Sequence, residues 1–97
     1  MSLHTLSIIR GNELNQQLSI STSTREKQEK LGFLPPSISL GERAKGWLKH
    51  EIDAFIAARA LGHSNEELQK LVTQIIQSRK STLEPFLSQF HREIGED

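Results

Sequence analysis

Two consecutive prolines near the middle of the chain, Pro35 and Pro36, limit its architecture more than any other feature. Neither offers a backbone N–H, and each pushes the residue before it towards extended conformations. No helix or central strand can run through this point. With Gly32 placed as a helix stop just upstream, residues 32–36 are expected to be irregular. Residues 5–10 (TLSIIR) join β-branched side chains to a short apolar core and predict a short strand or ordered arm. Asn12 is placed to cap a short helix to about Leu18, with Leu14 and Leu18 four apart on one face. The hydroxyls of residues 19–24 (SISTST) compete for backbone hydrogen bonds and favour turns and N-caps. A second helix is predicted from near Ser21 to about Leu31.

Beyond the prolines, residues 37–40 (SISL) alternate polar and apolar. Residues 41–46 (GERAKG) then form a Gly-bounded basic tip before Trp47 and Leu48, which predicts a β-hairpin. Leu48, Ile52, Phe55, Ile56 and Arg59 fall on helical spacing, with Glu51 and Asp53 in the first turn and Gly62 as the stop. Ser64 to Glu67 has capping-box spacing, and Leu68, Leu71, Val72, Ile75 and Ile76 follow as one apolar stripe. Residues 80–82 are expected to break that helix. A last helix carries Leu83, Phe86, Leu87, Phe90 and Ile94 on one face, with Pro85 tolerable only in its first turn. The expected fold is mainly α with a small β-hairpin: a winged helix-turn-helix followed by a C-terminal helical hairpin. The expected organisation is a DNA-binding domain at residues 1–62 and a C-terminal helical extension at 63–97, which is also a candidate dimerisation element.

A formal net charge of zero conceals an asymmetry. Residues 1–50 hold seven Lys/Arg against four Glu, a net of +3, and residues 51–97 hold five against eight Asp/Glu, a net of −3. A basic half joined to an acidic half directs attention to an anionic partner for the first. Cysteine is absent, so disulfide and thiolate chemistry are excluded. The apolar runs fall far short of the roughly 20 residues of a bilayer span, and residues 1–10 lack the features of a signal peptide. A cytoplasmic location without membrane association is expected. His4, His50, His63 and His91 are scattered without metal-ligand spacing, and the Gly41 loop lacks the Gly-Lys-Ser/Thr end of a phosphate-binding loop. No enzyme activity, metal or cofactor is expected.

One stretch is specific. Leu40-Gly41, Arg43-Ala44, Gly46-Trp47 and Glu51-Ile52-Asp53, followed by the apolar pair Phe55-Ile56, stand in the order and spacing of the second half of AlpA-type proteins, after a Leu34-Pro35-Pro36 segment whose second proline sits one position earlier than in the Phe-Pro-x-Pro found there. Upstream, Ile20-Ser21-Thr22-Ser23-Thr24 is similar to the Leu-Ser-x-Ser-Thr that opens the recognition helix there. Over residues 8–60 the chain therefore resembles the AlpA family of prophage transcriptional regulators. It departs from that pattern after Thr24, where the family continues with apolar residues such as Ile-Tyr and this chain has Arg25-Glu26-Lys27-Gln28-Glu29-Lys30. The resemblance implies a sequence-specific regulator of a prophage or mobile element, with close relatives that act as excisionases, also termed recombination directionality factors.

In a helix-turn-helix the second helix enters the major groove, which is about 12 Å wide and displays a distinct pattern for each base pair. Ser21, Thr22, Ser23 and Thr24 then suit phosphate contacts near the positive end of the helix dipole. Arg25 and Lys27 are candidates for guanine O6/N7, Gln28 for adenine, and Lys30 for a phosphate. Arg43 and Lys45 at the wing tip are placed to reach a neighbouring groove or backbone, and Lys49 with His50 to add phosphate contacts. The competing explanation of residues 25–30 is an ordinary solvated helix with Glu26–Lys30 spacing. Trp47, Ile52, Phe55 and Ile56 read as core, because a single-strand platform needs outward aromatics beside a basic groove. The expected partners are double-stranded DNA and a second copy of the chain through residues 64–94. The alternative is a protein-interaction module that docks an integrase or transcription component through the acidic C-terminal helices.

Overall fold

The computed structural model describes residues 6–91. The elements run β1 (Ile8–Ile9), α1 (Gly11–Leu18), α2 (Thr22–Lys30), β2 (Ile38–Ser39), β3 (Lys45–Leu48), α3 (Lys49–Ala60), α4 (Asn65–Leu83) and α5 (Pro85–His91). This is the expected mainly α fold, a winged helix-turn-helix with its irregular proline segment between α2 and β2. Three helices stop in the same way. α2 and α3 end at Gly32 and Gly62, with φ of +81° and +84°. α1 ends instead at Ser19 in the left-handed region, with φ 57° and ψ 44°. In each case the next residue's N–H reaches a carbonyl five positions back: Ile20 to Asn15, Phe33 to Gln28, His63 to Ala58. These paired bonds satisfy carbonyls that a helix end otherwise leaves open.

The strands form one antiparallel sheet in the order β1-β3-β2. Ile9 stands opposite Trp47, and Ile38 opposite Gly46. The wing therefore recruits the N-terminal strand as a third member; Thr5, expected in that strand, lies outside the described residues. Gly46 permits the close approach, since a Cβ there would lie 2.5 Å from Ile8 Cγ2. Beneath the sheet Ile9, Leu14, Leu34, Trp47, Ile52, Phe55, Ala58 and Leu68 make one buried cluster, with Leu18 and Leu71 against it.

The C-terminal part differs from expectation in three respects. Residues 80–82 do not break α4, because Ser78 and Ser81 donate their hydroxyls to the carbonyls of Ile75 and Ser78 and so sit comfortably within the helix. The break comes at Pro85, which lacks the N–H to continue. Second, the helical hairpin lies one element earlier. α4 turns back along α3, with Arg79 of α4 bonded to Glu51 at the start of α3. α5 follows α4 through Glu84, whose backbone stays helical at φ −56° and ψ −36°. Third, Leu68 is fully buried in the shared core, so a division at residue 62 does not separate two cores. Ile94 lies outside the described residues.

Candidate nucleic-acid interface

α2 has the sequence TSTREKQEK, and its one buried residue is an arginine. Its first turn is organised by hydroxyls. Ser21 is the N-cap and its Oγ accepts the Thr24 N–H at 3.2 Å. The Ser21 hydroxyl also lies 3.0 Å from that of Thr24, and Thr22 Oγ1 accepts from Asn15 Nδ2 at 2.8 Å, tying α2 to α1. These side chains remain exposed. No acidic residue occupies this first turn, so nothing offsets the positive end of the backbone dipole.

Along its outer side α2 faces the wing. Ser23, Glu26, Lys27, Glu29, Lys30 and Lys45 line one open groove. Lys45 also borders a second concavity at the wing tip with Ser39, Gly41 and Arg43. The structure thus brings Ser23, Lys27, Lys30, Lys45 and Arg43 onto one continuous surface. Arg10, which the sequence reading passed over, belongs beside them: it is exposed, and its Nε donates to the Lys45 carbonyl at 3.1 Å. The signal for it was faint, a lone cation at the end of a predicted strand.

Three expected contacts sit elsewhere. Arg25 turns inward and is 5% exposed. Its Nη1 donates to Gly11 O at 3.1 Å and to Asn15 Oδ1 at 2.9 Å, and its guanidinium stacks 4.7 Å from the centre of the Trp47 ring. A guanidinium held in this way is not presented to a guanine, which corrects the role expected for it. Gln28 is half-buried on another flank of α2. There it lines an apolar hollow with Leu18, Ile20, Phe55 and Ile56 rather than the cationic groove. Lys49 is bonded to Asp53 one turn on, at 3.0 and 3.1 Å. Trp47 is a core residue, as expected, at 1% exposure, and its Nε1 donates to Glu29 Oε2 at 2.6 Å. Among the described residues no group of three or more His, Asp or Glu side chains is gathered to hold a metal.

The segment from β1 to the end of α3 has a counterpart among known proteins. Residues 7–60 match the family model of the prophage CP4-57 regulatory protein (AlpA). The chain belongs to this family. No curated protein and no solved structure matches it significantly. In this AlpA-family member the match stops with the last residue of α3, so α4 and α5 lie beyond it although α4 completes the core. The departure after Thr24 also acquires a structural meaning. Where the family pattern has an apolar residue, Arg25 points to the interior and lays its guanidinium on Trp47. No helix among the described residues is long and apolar enough to cross a membrane.

Proposed function

We propose that the chain is a sequence-specific regulator that binds double-stranded DNA, with α2 in the major groove and the wing on the adjoining backbone. Membership of a prophage regulatory family supports this reading. The observation that carries it is the shared surface of Lys27 and Lys30 on α2 with Lys45 and Arg43 on the wing. Lysines of α2 and of the wing face each other across an open groove, with Glu26 and Glu29 between them, and can meet the backbone of a duplex, which presents one phosphate per strand about every 3.4 Å. Ser23 stands in the first turn of α2, where a phosphate contact is expected, and Lys27, in its last turn, is the remaining candidate for a base edge. Lys30, Lys45, Arg43 and Arg10 suit phosphates. The test is a gel-shift against the region upstream of the chain's own gene, at two salt concentrations. Replacing Lys30 and Lys45 by Ala should weaken binding to all sequences and lower the salt slope by about one per lysine. A folded variant lacking Lys27, Lys30, Arg43 and Lys45 that still binds with wild-type affinity and salt slope sinks the proposal. Use as an excisionase would show in the same assay as bending of attachment-site DNA by the bound protein.

Homodimerisation through the C-terminal helices is the second part of the proposal. Ile76, Phe86, Leu87 and Phe90 are exposed at 47%, 44%, 52% and 49%. Large apolar side chains exposed together mark interfaces, and Phe86, Leu87 and Phe90 follow helical spacing on α5; two weak half-site contacts gain strength when joined. Sedimentation of the full chain against a Phe86→Ser, Phe90→Ser variant decides the matter. A wild-type chain still monomeric well above micromolar concentration removes this part.

A further inference from the structure

We propose that Arg25 and Glu29 clamp Trp47 between them and are the positioning residues of the interface, fixing α2 relative to the wing. The geometry stands on its own; its consequence for binding rests on the DNA reading above. α2 gives no apolar side chain to the buried cluster, although helices in small folds are ordinarily held by an apolar face. Another anchor is needed. Arg25 and Glu29 are four apart and so share one face of α2. Both reach the same indole: the guanidinium 4.7 Å from the ring centre, and the carboxylate 2.6 Å from Nε1.

The clamp extends beyond the tryptophan. Arg25 Nη1 continues to Gly11 O and Asn15 Oδ1, so one guanidinium joins α1, α2 and β3. Gly11 leaves room for it, since a Cβ there would lie 2.9 Å from Nη1. Among the described residues Arg25 Nε is buried without a hydrogen-bond partner, which costs stability. Bonds and ring stacking are directional, whereas apolar contacts allow sliding. Lys45 Nζ lies 5.8 Å from the same ring centre, so the indole is touched by cations of both the helix and the wing. Moving α2 against β3 would change the spacing of Lys27 and Lys30 from Lys45, and that spacing must suit two phosphate rows.

The experiment compares Glu29→Gln with Glu29→Leu. Both remove the charge, but only glutamine keeps an acceptor for the indole N–H. Trp47 is the only tryptophan of the chain, so one indole N–H resonance reports on it. In the full chain without DNA, exchange of this proton should quicken about tenfold or more in Glu29→Leu and stay near wild type in Glu29→Gln. Binding is then measured for the tightest duplex that wild type selects from a random pool and for the unselected pool. Both variants take one carboxylate out of the groove and should share the same pool affinity, whereas the preference for the selected duplex should be about tenfold lower in Glu29→Leu than in Glu29→Gln. Arg25→Lys keeps the charge but not the planar stacking group, and should behave as Glu29→Leu does. All three are compared below their melting transitions. Unaltered indole exchange in Glu29→Leu overturns the clamp. An unchanged preference, or an equal loss of both affinities, overturns positioning. A wild-type chain that binds no duplex defeats the DNA reading, while the exchange measurement still decides the clamp.

Discussion

α2 and α4 are both polar over most of their surface, yet they are held to the fold in opposite ways. α4 is anchored by apolar side chains: Leu68 is fully buried and Val72 is 5% exposed. Burying a side chain of this kind contributes about 1.5–3 kcal/mol. Its polar anchors are added at the ends, a capping box at Ser64 and Glu67 and the Arg79 ion pair near the other terminus. α2 has no such stripe and is held by an arginine, a glutamate and its hydroxyl cap. An apolar stripe commits a broad face of a helix to the interior. Two polar anchors on one line commit far less, and the freed circumference of α2 is where Ser23, Lys27 and Lys30 stand. The helix that completes the core and the helix that offers charge are distinct because one short helix has too few positions for both.

The largest effect expected from breaking this contrast is at Trp47, where the two kinds of anchoring meet. Trp47→Ala should destabilise the fold by about 3–5 kcal/mol, enough to unfold a domain whose total stability is of similar size. Circular dichroism with urea titration checks this. A cooperatively melting variant of unchanged stability would mean that the indole is no keystone.

How much of this was legible in the sequence follows the same division. α4 could be read, because apolar periodicity is a one-dimensional signal and Ser64 with Glu67 supplies a second. The bounds of α2 were also legible, expected at 21–31 and found at Thr22–Lys30. Its packing was not. A run such as REKQEK gives no sign of which charged residue turns inward, since that depends on Trp47 arriving beside it from 22 positions away. Of the candidate site, Lys27, Lys30, Arg43 and Lys45 fall on one surface, while Arg25 and Gln28 required the structure. The apolar face of α5 is legible in the spacing of Phe86, Leu87 and Phe90, which suits either a seam left for a partner or a fold-back onto α3, and no described element covers these side chains.

Arg79 tests the polar anchoring of α4. Its Nε and Nη2 each lie 2.7 Å from a Glu51 oxygen, and Nη2 also donates to the Pro36 carbonyl at 2.7 Å. The Glu51 hydrogen bond raises the arginine pKa further, against the opposing effect of burial, so Arg79 stays charged. Arg79→Met strands a carboxylate that is 3% exposed. The expected loss is about 3 kcal/mol, at the lower end for a broken buried pair because Arg79 keeps some solvent contact. Adding Glu51→Leu should recover most of it, since an apolar pair needs no charge partner. Urea midpoints for the two singles and the double give the coupling. Additive losses would show that the pair is not the anchor.

A smaller effect of opposite sign is expected at the turn that sets α2 on α1. Ser19 holds the left-handed conformation that glycine fills at the other two helix ends. An L-residue there is strained by contact of its Cβ with the backbone. Ser19→Gly should raise stability by about 0.5–1 kcal/mol, the relief being partly offset by greater freedom in the unfolded chain. An unchanged or lowered melting temperature would show that the Ser19 side chain contributes something the contacts do not reveal.

The smallest effect separates the N-termini of the two helices. α4 begins with Glu66 and Glu67 in its first turn, where α2 has no acid. Glu67 Oε1 accepts the Ser64 N–H at 2.7 Å. That bond holds the carboxyl below its ordinary value of 4.5, with desolvation opposing it and the charge of His63, the Ser64 hydroxyl and the charge of Lys70 adding to it. A folded-state pKa below the unfolded one gives stability that is present in full above the unfolded value and fades as the pH falls through the folded one. The decline therefore begins near pH 4.5 and continues below it. Glutamine at this position can still accept the Ser64 N–H but takes up no proton. Glu67→Gln should thus flatten this part of the acid limb while leaving stability near neutrality little changed. Urea midpoints at pH 7, 5, 4 and 3 for both proteins provide the measurement, and superimposable profiles would remove Glu67 from the account. α4 uses carboxylates to close its positive end, whereas α2 has no acid there, as the phosphate contact proposed for it requires.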